Sequence, residues 1–140
     1  MIDKFDGDYA FLSNFYYSPF MFQGRQYPTV EHFFQAHKAK TYEDFISVLV
    51  EPTPKGAKQV GRKIKMREDW ETVKDTIMLE GLRAKFSIKG LREKLLATGD
   101  EELIEGNHWH DTYWGVCNGV GKNKLGKMLM QVREEIKNDT

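Results

Sequence analysis

Three helix starts crowd into one stretch of this chain, and they constrain its fold more than any other feature. Thr29 precedes "VEHFFQAHK", Thr41 is followed three residues later by Asp44, and Thr53 stands directly before Pro54. A threonine hydroxyl can accept an otherwise unpaired N–H of a first helical turn, and an acid three residues on resembles the other half of a capping box. Proline suits the first helical position, where an N–H would have no partner. Helix initiation repeated at such short intervals predicts a helix-rich chain.

The flanking segments add a few strands. "YAFLSNFYYSPFMFQGRQYPT" is aromatic and broken by Ser18, Pro19 and Gly24, a pattern of short strands or a hairpin closed near Gly24 and Arg25. Asp69 is placed to cap "WETVKDTIMLEGLRAKF", where Trp70, Val73, Ile77 and Leu82 approximate helical spacing. "GLREKLLATG" reads as a helix ended by Gly99, a residue suited to a left-handed C-terminal position. "ELIEG" and "TYWGVC" read as short strands with "NHWHD" as the loop between them. In "NKLGKMLMQVREEIK", Leu125, Met128, Leu129, Val132 and Ile136 share one face, so this last helix is expected to dock on a core. With no repeat or linker, the expectation is an α+β fold: one helix-rich domain over residues 1–140 with a few short strands, rather than a doubly wound sheet.

Composition narrows the function. The chain has 140 residues, 40% apolar and 13% aromatic, enough to bury a core without disulfides or metals. Its 21 basic residues match its 21 acidic ones, so no global field draws it to nucleic acid or a membrane. The local exception is "KGAKQVGRKIKMR", with Lys55, Lys58, Arg62, Lys63, Lys65 and Arg67 and no acid. Such a run is ordinarily a solvated face, and here it is also the one patch fit for a nucleic-acid backbone. The single Cys117 has no internal disulfide partner and fits a reducing compartment. No apolar run approaches the ~20 residues of a membrane helix, and "MIDKFDGDYA" does not read as an export signal, so a soluble cytoplasmic protein is expected. His32 and His37 point about 140° apart on a helix, which argues against a preformed histidine cluster with His108 and His110, and no metal is expected.

The opening helix carries an unusual row. At about 100° per residue, Glu31, Gln35 and Lys38 fall within roughly 60° of one another. They border the arc of Val30, Phe33, Phe34 and His37. The row fits a wet flank, where such pairs contribute a few tenths of a kcal/mol. It equally fits the wall of a partly buried cleft.

"FLSNFY", "YPTVEHFFQAHKA", "GR" at Gly61 and Arg62, "DWETVKDTIM", "LRAKF", "DTYWG" and "GKNKLGKMLMQVR" follow one another from about Phe11 to Arg133. In order and spacing they resemble the NADAR family, also called YbiA-like. The resemblance implies the YbiA-like fold and an N-glycosidase acting on a ribose C1–N bond. Family activities include hydrolysis of phosphoribosylated riboflavin-pathway intermediates and removal of ADP-ribose from guanine. By motif position it carries Glu31, Lys38, Trp70 and Asp111 across. The chain departs from the family pattern at Ala39, where an aromatic is common, and at Val116 and Cys117, where the turn is usually richer in glycine.

Breaking a ribosyl C–N bond builds positive charge at C1′ and requires a proton for the departing nitrogen. Glu31 and Asp111 are the candidate carboxylate pair, with acid and base roles open. Lys38 has two candidate roles: attack on the sugar as a neutral amine to form a Schiff base, or binding phosphate and orienting the glutamate. Candidate binding residues are Asn14 for a ribose hydroxyl, Gln35, Trp70 and Trp114 for stacking, Arg62 for phosphate, and Lys122 and Asn123 in "GVGKNKLG". That glycine-rich entry to the last helix offers N–H groups suited to phosphate, though it lacks Walker spacing. No cofactor is expected. The expected partner is a phosphorylated ribosyl small molecule or ADP-ribosylated guanine in nucleic acid, and no oligomeric state is specified. Two rival readings are a non-hydrolytic ADP-ribose or nucleotide-binding module and a structural domain.

Overall fold

The computed structural model describes residues 1–139. The chain falls into two compact units, Asn14–Lys85 and Met1–Ser13 together with the residues from Phe86 onward.

In the first unit, β1 (Phe20–Phe22) pairs antiparallel with β2 (Arg25–Tyr27), Phe20 opposite Tyr27. Gln23 and Gly24 link them with φ of 49° and 80°, the left-handed pair whose twist matches a two-residue hairpin. Three helices follow, each capped as its sequence predicts: α1 (Val30–His37), α2 (Tyr42–Leu49) and α3 (Pro54–Gly61). The hydroxyls of Thr29, Thr41 and Thr53 accept the N–H of His32, Asp44 and Gly56 at 3.1, 3.2 and 3.0 Å. Then comes α4 (Trp70–Lys85). Asp69 stands before it without capping through its side chain. Its carboxylate engages Arg67 at 2.6 and 3.0 Å, while its carbonyl accepts the N–H of Thr72 and Val73.

Helix α1 packs against α2, α3 and α4. That position explains a difference from the amphipathic reading: every residue from Val30 to Ala36 is buried, polar ones included. Phe33 lies edge-on to Phe22 and Tyr27 and against Phe20, and α4 meets its ring with Gly81.

The second unit opens with a 3-10 helix, Gly7–Leu12, where the aromatic run reads as extended. Helix α5 (Lys89–Ala97) ends at Thr98 and a left-handed Gly99, φ 65°. It packs on α6 (Lys124–Asn138), which buries Leu125, Leu129 and Val132. The two strands expected here shrink to β3 (Gly106–Asn107) and β4 (Val116–Cys117), parallel and two residues each. The carbonyls of Thr112, Tyr113, Trp114 and Gly115 instead accept the N–H groups of Lys122, Lys124, Leu125 and Asn123, which removes them from a ladder. Among the described residues no helix is long and apolar enough to cross a membrane. None of their His, Cys, Asp and Glu side chains gather in threes to hold a metal.

Candidate functional site

The start of α1 is held from three sides. Beyond capping, the Thr29 hydroxyl lies 2.8 Å from Nδ1 of His32, whose Nε2 lies 2.8 Å from the Glu51 carbonyl. A carbonyl requires a donor, so Nε2 carries the proton and Nδ1 accepts from the hydroxyl. His32 is thus a structural clasp. The N–H of Glu31 is taken by the Asn14 carbonyl at 3.1 Å.

On this frame the polar row is continuous. Gln35 Nε2 donates to Glu31 Oε2 at 2.8 Å, and Lys38 Nζ donates to Gln35 Oε1 at 3.4 Å. Glu31 and Gln35 are each only 7% exposed and Lys38 is half-buried, so the row is not a wet flank. Burial lowers the pKa of the Lys38 amine below its ordinary value; Glu31 opposes this, and the positive charge of Arg62 adds to it. The same helix row thus presents a buried carboxylate and an amine inclined toward its neutral form, with Arg62 close enough to act on it. Those are the groups that stabilisation of a sugar cation, attack on an anomeric carbon and phosphate binding call for.

Two other candidates in this unit are enclosed. Asn14 is 8% exposed; its Nδ2 faces the Met78 sulfur at 3.4 Å, and its Oδ1 has no hydrogen-bond partner among the described residues. Trp70 is 5% exposed with its ring 4.9 Å from Phe34, a packing position. Sequence reasoning missed Lys85. It is wholly buried at the end of α4, 5.7 Å above the Tyr16 ring, and burial pulls its pKa down from 10.5 to about 7. Its spacing from Ile77, Met78 and Leu82 places it on the apolar face of α4, a signal present in the sequence.

In the second unit, Asp111 organises the loop before β4. Its Oδ1 accepts the N–H of Tyr113 at 3.1 Å and of Trp114 at 2.9 Å. Asn107 clamps its backbone, accepting its N–H at 3.1 Å and donating to its carbonyl at 2.8 Å. One carboxylate oxygen is therefore engaged in the turn, and Oδ2 lies outside these bonds. Trp114 is half-buried, its ring 4.8 Å from Tyr113 and edge-on to it. Lys122 and Lys124 stand 5.2 and 4.8 Å from the centre of the Tyr113 ring.

At the entry to α6, where a phosphate cradle is expected, four N–H groups are already engaged. The N–H groups of Lys122, Asn123, Lys124 and Leu125 are all taken by the carbonyls of residues 112–115. Asn123 is engaged as well: Oδ1 accepts from the Glu105 N–H at 2.9 Å and Nδ2 donates to the Leu103 carbonyl at 3.0 Å. With φ 53°, this asparagine takes the left-handed position that starts the helix. Cys117 is buried, 4.0 Å from Nδ1 of His110.

The structure therefore gathers Glu31, Gln35, Lys38 and Arg62 around α1, and Asp111, Trp114 and Lys122 on the loop leading to α6. The solved NMR structure of the Escherichia coli protein YbiA matches this chain with a TM-score of 0.88 and 36% identity, covering 99% of this chain and 88% of that one. The N-glycosidase YbiA of E. coli strain K12 is 39% identical over 133 residues, 92% of this chain and 82% of that protein. An N-glycosidase of Nostoc punctiforme is 41% identical over 137 residues, 93% of this chain and 87% of its own length. A riboflavin biosynthesis protein of Vibrio vulnificus is 36% identical over 135 residues, 94% of this chain and 36% of that longer protein. The NADAR domain model matches residues 2–137, and with relatives this similar among the N-glycosidases, hydrolases of N-glycosyl bonds, the chain belongs to the NADAR family.

Proposed function

We propose that this enzyme hydrolyses the ribosyl C1–N bond of a phosphate-bearing substrate. The observation that carries the reading is the row in which buried Glu31 and Gln35 and half-buried Lys38 are joined by hydrogen bonds beside Arg62. Scission leaves a cation shared by C1′ and the ring oxygen, the nitrogen takes a proton, and water adds at C1′ to give the free sugar and the amine. Glu31 stabilises that cation or activates the water. In the covalent course the neutral Lys38 amine, which burial favours, adds to C1′ as the bond to the leaving nitrogen breaks, and gives up a proton. Water then hydrolyses the lysine–sugar adduct to free sugar and amine; phosphate binding is the competing assignment. Arg62 binds phosphate and Asn14 accepts from a sugar hydroxyl.

The substrate we favour is a phosphoribosylated intermediate of the riboflavin-pathway kind. The name of the Vibrio relative supports it, as does the zero net charge of the chain. ADP-ribosylated guanine is the second arm, favoured by the exposed Lys55, Lys63 and Lys65. A parallel assay separates them: incubation with phosphoribosylaminouracil-type compounds and with guanine-ADP-ribosylated DNA, chromatography of released base and sugar, and Glu31→Ala as control. Product from one arm, lost in Glu31→Ala, is expected. Saturable binding of both without product from either would replace hydrolysis by the binding-module reading.

A further inference from the structure

We propose that Gln35 is a positioning residue, a hydrogen-bonded relay that couples the Glu31 carboxylate to the Lys38 amine, and that Gly61 is the seat holding its carboxamide there. The idea builds on the reading of Glu31 and Lys38 as reacting groups.

Glu31 and Lys38 stand seven residues apart, about 10 Å along the axis of a helix. Gln35 lies four after one and three before the other, the two spacings at which helical side chains meet. A carboxamide also has the right polarity at each end. Its N–H faces the carboxylate at 2.8 Å and its carbonyl faces the amine at 3.4 Å, so the charge at one end of the chain polarises the bond at the other. Glutamate would lack the donor, and methionine or leucine both groups. With both ends engaged and 7% exposure, Gln35 acts on a substrate through its neighbours.

The seat is sharply defined. A Cβ added to Gly61 would lie 2.1 Å from Gln35 Oε1, 2.8 Å from its Cδ and 3.1 Å from its Cβ. Any side chain at Gly61 therefore occupies the space of the carboxamide, and α3 can carry only glycine there if Gln35 keeps both bonds. The next residue is Arg62, so the same passage of chain that seats the relay also brings the cation to Lys38.

Removing the relay has a signed consequence. A buried carboxylate that loses this donor is drawn to the ammonium that already attracts it, and Lys38 sits on a flexible stem. The two ends then close into an ion pair, which favours the charged form of Lys38.

The test reads the Lys38 titration by NMR on 13C-dimethylated lysines, with its signal identified by loss in Lys38→Arg. Gln35→Ala and Gly61→Ala are each expected to raise the midpoint by about one pH unit. The double variant should match Gln35→Ala alone, because Gly61 acts only through Gln35. Gln35→Met, which keeps length without either hydrogen bond and leaves Gly61 intact, carries the same test should Gly61→Ala fold poorly. A midpoint unmoved or lowered in Gln35→Ala and Gln35→Met would refute the relay, and additive shifts in the double variant would refute the seat. The measurement needs no substrate, so a failure of the proposed hydrolysis is seen separately.

Discussion

The Asn14 carbonyl accepts the N–H of Glu31 at 3.1 Å, so a loop residue and the candidate carboxylate are fixed to each other within the free protein. The side chain of Asn14 is used far less well. Its Oδ1 is buried without a hydrogen-bond partner among the described residues, a desolvation cost with no return in the fold itself. Such a group is better explained by a ligand than by stability. Asn14→Leu removes the acceptor at similar bulk. Its melting temperature is expected within about 3 °C of wild type. Its kcat/KM should fall about tenfold, the equivalent of ~1.4 kcal/mol of lost hydrogen bonding. Thermal melts beside steady-state kinetics decide it: a large fall in melting temperature with unchanged kinetics would assign Asn14 to the fold.

Lys38 gives the second expectation. Burial lowers its pKa, so at any given pH more of it is neutral than for a surface lysine. Borohydride added during turnover should trap a sugar adduct on the Lys38 peptide, visible by mass spectrometry and absent from Lys38→Ala. The yield should climb with pH and level off below the ordinary lysine value of 10.5. Turnover without any adduct would move Lys38 to phosphate binding.

Two glycines in helices should respond with opposite signs. A Cβ at Gly81 would lie 2.7 and 3.0 Å from the ring of Phe33, which is wholly buried. Alanine there gains up to about 1 kcal/mol of helix propensity. Overpacking a ring held on every side costs about 1–3 kcal/mol, so net destabilisation is expected. Gly90 in α5 meets nothing within 4 Å, and Gly90→Ala should stabilise by about 0.5–1 kcal/mol. Urea midpoints of the two variants, compared with wild type, give both signs in one experiment.

These residues show which parts of the molecule could be read in advance. Local chemistry was legible: Thr29, Thr41 and Thr53 cap the helices they precede, Gly99 ends α5 left-handed, and the hairpin turns at Gln23 and Gly24, one residue before the expected Gly24 and Arg25. What required coordinates was anything decided by distant chain. The Glu31, Gln35 and Lys38 row was visible as a line of polar residues, but its burial depends on three helices surrounding α1. "TYWGVC" has strand-like composition, yet Asp111 holds the N–H groups of Tyr113 and Trp114 while the neighbouring carbonyls cap α6. The glycines before α6 signalled a helix entry correctly. They carried no sign that its N–H groups were already taken.

Lys85 supplies a prediction in pH. Its pKa is about 7 in the fold against 10.5 for an ordinary lysine, because burial disfavours the ammonium. Below about pH 7 the folded and unfolded chains both hold the proton, and the penalty for burying it is constant. As pH rises from there toward 10.5, the folded protein releases the proton while the unfolded chain keeps it, so stability grows with pH. The gain is about 1 kcal/mol per pH unit in this window. Lys85→Met keeps the apolar stem and removes the titration, so subtracting its stability from that of wild type cancels every other ionising group. Urea unfolding of both proteins at steps from about pH 6 to about pH 9 should give a difference that is flat at first and then rises in favour of wild type. A difference flat throughout would mean that the Lys85 amine stays charged inside the fold over this range, stabilised there by the Tyr16 ring or another group.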